Sequence, residues 1–190
     1  MSIARLSLAF VALLTLVARP MTAQVGSTAG IFAGVQYTGA ALDLAGAAKT
    51  VKFGSGFGVH AGVGLGQTLS LVVNYDSNKL PTSGSSSTKL TQVDALARIH
   101  VFSGANSVMR PYLTAGVTAR TAKGTSDFQG KAPTAGGGVT VQLPGLSVFA
   151  TALWTFGNLT SSNSLISGKS SFSSTGTRVQ VGTSFYLLGH

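Results

Sequence analysis

Asp94, Arg98 and His100 stand four and two residues apart within the stretch TQVDALARIHVF, residues 91–102. In an extended chain successive side chains point to opposite faces. These three therefore share one face with Gln92 and Leu96, and Val93, Ala95, Ala97, Ile99 and Val101 share the other. A carboxylate, a guanidinium and an imidazole on one face could make an ion pair, a proton relay or part of a metal site. The metal reading fails on ligands. There is no cysteine, and neither His60 nor His100 has a third histidine or a carboxylate at ligating spacing. Serines are numerous but lie mostly in loops, and no elbow-like G-x-S-x-G precedes a helix. The glycine-rich GSGFGVHAGVGLG (54–66) lacks the G-x-G-x-x-G spacing and no helix follows it. Its glycines are expected to relieve crowding on a strand face. No metal, no cofactor and no enzymatic activity are expected. What the charged face does depends on whether it lies inside or outside.

Composition bears on that choice. The chain has 190 residues, of which 44% are hydrophobic and only 9% charged. A soluble domain averages about 25% charged residues, so there are too few charges to coat an ordinary wet surface. The 25 glycines show no triplet period, which excludes collagen. Beyond the N-terminus no segment approaches the ~20 apolar residues of a membrane helix. A membrane barrel signals itself by alternation instead. The formal charge of +9 comes without any basic run, and no nucleic-acid partner is expected.

The first residues read as a secretory signal. Arg5 is the positive n-region, Leu6 to Ala18 the apolar stretch, and Ala23 the last residue before cleavage. Arg19-Pro20 breaks the run before it could serve as an anchor helix. Residues 1–23 are thus assigned to the signal and 24–190 to one domain; STA, ending at Ala29, is a second cleavage option.

Eight stretches then alternate with period two: GIFAGVQYTG, GFGVHAGVGLG, LSLVVNYD, TQVDALARIHVF, PYLTAGVTAR, TAGGGVTVQL, LSVFATALWTF and RVQVGTSFYL. Each approaches the ~9–11 residues that cross a bilayer when tilted. GQT, SGANSVMR and PG make the shorter connections, and four longer polar segments make the others. Long loops at one end and short turns at the other are the pattern of an outer-membrane barrel. Strand directions then follow, and on the apolar face Tyr37, Phe57, Tyr75, Trp154 and Phe156 all fall near the long-loop end. Aromatics at one level make an interfacial girdle. The apolar face is therefore expected outside, against lipid, with Asp94 and Arg98 inside.

The last strand carries Gln180, Gly182, Phe185 and Leu187 at the spacing of an outer-membrane assembly signal. With this motif, the chain from about Gly30 onward resembles the small eight-stranded outer-membrane β-barrels, similar to the transmembrane domain of outer membrane protein A or to outer membrane protein X. It departs from many members in continuing with Leu188, Gly189 and His190. The resemblance implies an all-β, antiparallel up-and-down barrel in a bacterial outer membrane, with both termini periplasmic and long loops extracellular. It also implies the barrel-assembly machinery and periplasmic chaperones as partners during biogenesis. A monomer in contact with outer-membrane lipid and lipopolysaccharide is expected, with no cell-wall tether.

Two layers are expected in the lumen. Asp94, read as the only inward acid, would form an ion network with Arg98, Arg120 and Arg178. Phe32, Tyr112, Phe149 and Tyr186 would close the short-turn end, because eight strands leave room for little more than side chains. The function expected is structural and surface-interacting, with a plugged lumen. The alternatives are a narrow anion-selective pore or a secreted, lipocalin-like ligand-binding barrel. An added charge at Thr118 should be better tolerated than one at Val117. All seven lysines, Lys49, Lys52, Lys79, Lys89, Lys123, Lys131 and Lys169, fall in or beside the long loops.

Overall fold

A computed structural model describes residues 30–188 apart from 45–52, 67, 82–86, 102–106, 125–126 and 162–170. The signal segment expected over 1–23 lies outside the described residues, as do Lys49, Lys52 and Lys169. Eight strands follow in chain order: β1 (Gly30–Leu44), β2 (Gly54–Gly64), β3 (Leu69–Pro81), β4 (Ser87–His100), β5 (Met109–Lys123), β6 (Phe128–Leu143), β7 (Leu146–Ser161) and β8 (Ser171–Leu188). Each pairs antiparallel with the next, and β8 returns to β1, closing the ring. Closure leaves no unpaired sheet edge.

The strands are 11–18 residues long, longer than the alternation of apolar residues predicts. The extra length lies mostly at the long-loop end, and β3 shows why. Leu71, Val73 and Tyr75 face outward and are exposed, whereas Asn74 and Asp76 face inward and are buried. Past Tyr75 the outward positions become Ser77 and Lys79, and the inward one becomes Leu80, which has no exposed surface. The period of two continues, but the apolar phase changes face. A reading that follows outward apolar residues stops at that point and takes the remainder for loop. β4, β5 and β7 switch in the same way.

The barrel therefore has two parts. The lower wall is apolar outside and polar inside. The upper rim is polar outside and encloses a small apolar core of Ala40, Leu42, Leu80, Leu90, Ala122 and Leu159, with Phe128 packed against it.

Turn chemistry is local. Pro144 and Gly145 join β6 to β7, and Gly145 takes φ 71°. A fixed proline φ followed by a left-handed glycine is the residue pair of a type II turn.

Candidate functional site

Along the lower wall the lumen holds a continuous polar chain. Arg178 on β8 donates from Nη1 to Asp76 Oδ2 at 2.6 Å and from Nη2 to Asp94 Oδ2 at 2.5 Å. Gln36 Nε2 and Gln180 Nε2 also donate to Asp76, at 2.6 and 2.8 Å. Asp94 accepts from Asn74 Nδ2 at 3.0 Å and from Thr118 Oγ1 at 2.7 Å. Each carboxylate thus receives three hydrogen bonds from three different residues. Buried carboxylate oxygens need such partners in place of the water they lose. The chain continues through Thr118, Thr134 and Thr155, whose hydroxyls lie 2.6 and 2.8 Å apart in turn. Gly58 makes room for it: a Cβ there would lie 1.9 Å from Asp76 Oδ1.

This differs from the expected network in three ways. Asp94 is not the only inward acid. Asp76, the last residue of the LSLVVNYD stretch, is fully buried beside it and on the same inner face as Asn74. Arg120 does not pair with Asp94; its Nη2 donates to Ser174 Oγ at 2.8 Å. Arg98 belongs to a different layer. Its guanidinium carbon lies 4.2 Å from the Tyr112 ring centre and 5.6 Å from that of Phe149, a cation–π arrangement.

That second layer occupies the short-turn end. Phe32, Tyr112 and Phe149 are buried, and Tyr186 is half-buried. Phe32 and Tyr186 stand 5.8 Å apart between ring centres. Both inward histidines join them: His60 meets Phe149 edge-on at 5.0 Å, and His100 meets Tyr112 at 5.6 Å. Tyr112 Oη also hydrogen-bonds Thr151 Oγ1. Gly138 permits this, since a Cβ there would sit 2.7 Å from the Tyr112 hydroxyl. A fourth inward arginine, Arg110, is buried nearby. Its sequence reads as turn, because Met109 and Arg110 precede the apolar run of β5.

One arrangement has the order nucleophile, base, orienting group. His60 Nε2 is 2.8 Å from Ser184 Oγ, and His60 Nδ1 is 3.0 Å from Gln36 Oε1. The adjoining cavity, lined by Ser184, Arg98, His100 and Phe32 among others, has a volume of about 10 Å³. That is about one water molecule. Among the described residues no three histidine or acidic groups gather as a metal site would require.

Thr118 has no exposed surface and hydrogen-bonds both Asp94 and Thr134. An arginine at Thr118 would therefore have to displace these partners.

Outside, Tyr37, Phe57, Tyr75, Trp154 and Phe156 are all exposed. Tyr37 and Phe57 are register partners with rings 5.3 Å apart. These five aromatics occupy β1, β2, β3 and β7, and make a partial belt rather than a full one. In the terminal motif, Phe185 and Leu187 are exposed on the wall, whereas Gln180 is buried against Asp76 and Gly182 faces Phe149.

With this wall and lumen, the chain is similar to several solved structures. It superposes on Neisserial surface protein A with a TM-score of 0.67 at 16% identity, covering 85% of this chain and 99% of that one. The fold is that of the small outer-membrane β-barrels. OprG from Pseudomonas aeruginosa follows at TM-score 0.59 and 10% identity, covering 85% and 96%. Ail, the attachment invasion locus protein of Yersinia pestis, gives 0.54 at 11%, covering 84% and 97%. No protein-family model and no curated protein sequence matches the chain. The likeness is carried by architecture, since a barrel wall needs only the right alternation at each position.

Proposed function

We propose that the protein is a non-enzymatic, monomeric outer-membrane barrel whose lumen is closed and whose rim meets the surroundings at the cell surface. The supporting observation is the double reversal of polarity along the strands. An exposed band of Val35, Val59, Val73, Val117 and Val179 surrounds a charged interior, and only lipid stabilises such a band. Above it the rim regains the polar-out, apolar-in order of a protein in water. In this reading the long loops are extracellular and both termini periplasmic. Lipid and lipopolysaccharide contact the wall, and the assembly machinery and periplasmic chaperones act during insertion. A surface-interaction role draws support from Ail, whose structure is also known with the heparin analogue sucrose octasulfate.

Three layers in series support closure: the rings at the short-turn end, the Arg178 network, and the apolar core of the rim. The charged interior also disfavours a lipocalin-like apolar ligand. The sealed Ser184–His60 pair supports the absence of catalysis. Cell fractionation with gel migration before and after boiling tests the reading. Recovery as a soluble periplasmic protein overturns it.

One observation favours a narrow anion-selective pore as a second reading. Four buried arginines, Arg98, Arg110, Arg120 and Arg178, face two buried carboxylates. Sustained anion-selective conductance of the unmutated protein in planar bilayers would establish that reading in place of closure.

A further inference from the structure

Three lysines stand in a row across the outside of the rim. Lys79 on β3 is the direct register partner of Lys89 on β4, and Lys89 that of Lys123 on β5. All three are exposed. None is paired with a carboxylate among the described residues, where the ion pairs are those of Arg178. Like charges directly opposite on a sheet destabilise it. With strands about 4.8 Å apart, the row spans roughly 10 Å. The intervening β3–β4 connection, TSGSS at 82–86, carries no charge to offset it. Asp127, in the next connection, accepts from the Gly124 amide at 3.3 Å.

The surroundings suit an anion with an apolar tail. The lysines line an open groove of about 640 Å³ with Ser55, Phe57, Ser77 and Ser87. Four residues below the row, the outward positions are Tyr75, Val93 and Ala119, and the apolar wall continues down from there through Val73 and Val117. Four residues cover about 13 Å of strand, and less in height once the strand tilts. That places the ammonium groups at the level of lipid headgroups, directly over the wall that acyl chains would cover.

We propose that Lys79, Lys89 and Lys123 bind the phosphates of a bisphosphorylated glycolipid in the leaflet at the long-loop end, with its acyl chains lying on the wall below. The inference rests on the outer-membrane reading. A row of three cations matches two phosphates, and the serine hydroxyls add neutral donors. Continuity with the apolar wall assigns the groove to a lipid rather than to a soluble polyanion.

The test uses the mature protein folded in phosphatidylcholine nanodiscs, with or without bisphosphorylated lipid A. Retained glycolipid is read by native mass spectrometry and stability by thermal unfolding. The unmutated protein should retain the glycolipid. The triple variant Lys79→Gln, Lys89→Gln, Lys123→Gln should retain at least tenfold less, and Lys131→Gln as much as the parent.

The stability readout should reverse sign. Without glycolipid, Lys89→Gln should raise the unfolding temperature by relieving repulsion; with glycolipid it should lower it relative to the parent. Equal retention by the parent and triple variant, both showing the folded gel form, would overturn the site alone. So would retention displaced by sucrose octasulfate that binds equally well without lipid. Failure of the unmutated protein to insert at all would overturn the membrane reading, and this site with it.

Discussion

Arg178 on β8 reaches across the lumen to Asp94 on β4, Nη2 to Oδ2 at 2.5 Å, across 84 residues of sequence. The same guanidinium holds Asp76 on β3. One side chain therefore ties two neighbouring strands to a third on the far side of the ring. Its removal leaves two buried carboxylates facing each other. Arg178→Leu should destabilise the barrel by about 3–5 kcal/mol, the usual cost of breaking a buried pair from one side. Adding Asp76→Asn and Asp94→Asn should recover much of that loss. Urea unfolding in lipid vesicles measures both, and a triple variant no more stable than Arg178→Leu alone would count against a charge-based role.

The outer face should respond to charge by height. Val117→Arg lies on the apolar wall and should cost about 2–4 kcal/mol, whereas Thr121→Arg, four residues higher on the same face, should cost about 0–1 kcal/mol. Folding yields into vesicles provide the comparison, and equal yields would contradict a wall that ends between these positions.

The proposed closure in three layers bears on what would open the lumen. Tyr112→Ala with Phe149→Ala removes two of the rings, yet the rim core of Leu80, Leu90 and Leu159 remains in series. That double variant should stay non-conducting in planar bilayers, and adding Leu80→Ser and Leu159→Ser should produce openings. Gel migration before boiling checks that each variant folds. Steady channels from the ring double variant would mean that the rim core does not seal.

Ser184 should not behave as a nucleophile. A fluorophosphonate probe cannot enter a cavity of about 10 Å³, so no labelling of the folded protein is expected. Ser184→Ala should instead cost about 1–3 kcal/mol, because it strips His60 Nε2 of its partner in a buried site. Labelling abolished by His60→Ala would reverse the non-enzymatic assignment.

Alternation reveals the eight strands, and with the loop lengths it gives their direction and the shared face of Tyr37, Phe57, Tyr75, Trp154 and Phe156. A strand has only two faces, so residue type and parity fix which side each residue takes. The same parity places Asp94, Arg98, Arg120 and Arg178 inside, and Phe32, Tyr112, Phe149 and Tyr186 with them. Parity does not give height around a closed ring. Strand tilt and register decided that Arg178 meets Asp76 and Asp94, that Arg98 stacks among the rings, and that Arg120 turns to Ser174. Strand ends were equally beyond the sequence. Where the outward apolar wall ends, the apolar phase changes face, and Leu80 and the lysine row then look like loop. Only closure of the barrel shows that Leu80 meets Leu90 and Leu159 inside, and that Lys79, Lys89 and Lys123 stand side by side outside. These contacts join residues distant in sequence, and their partners are set by the geometry of the ring.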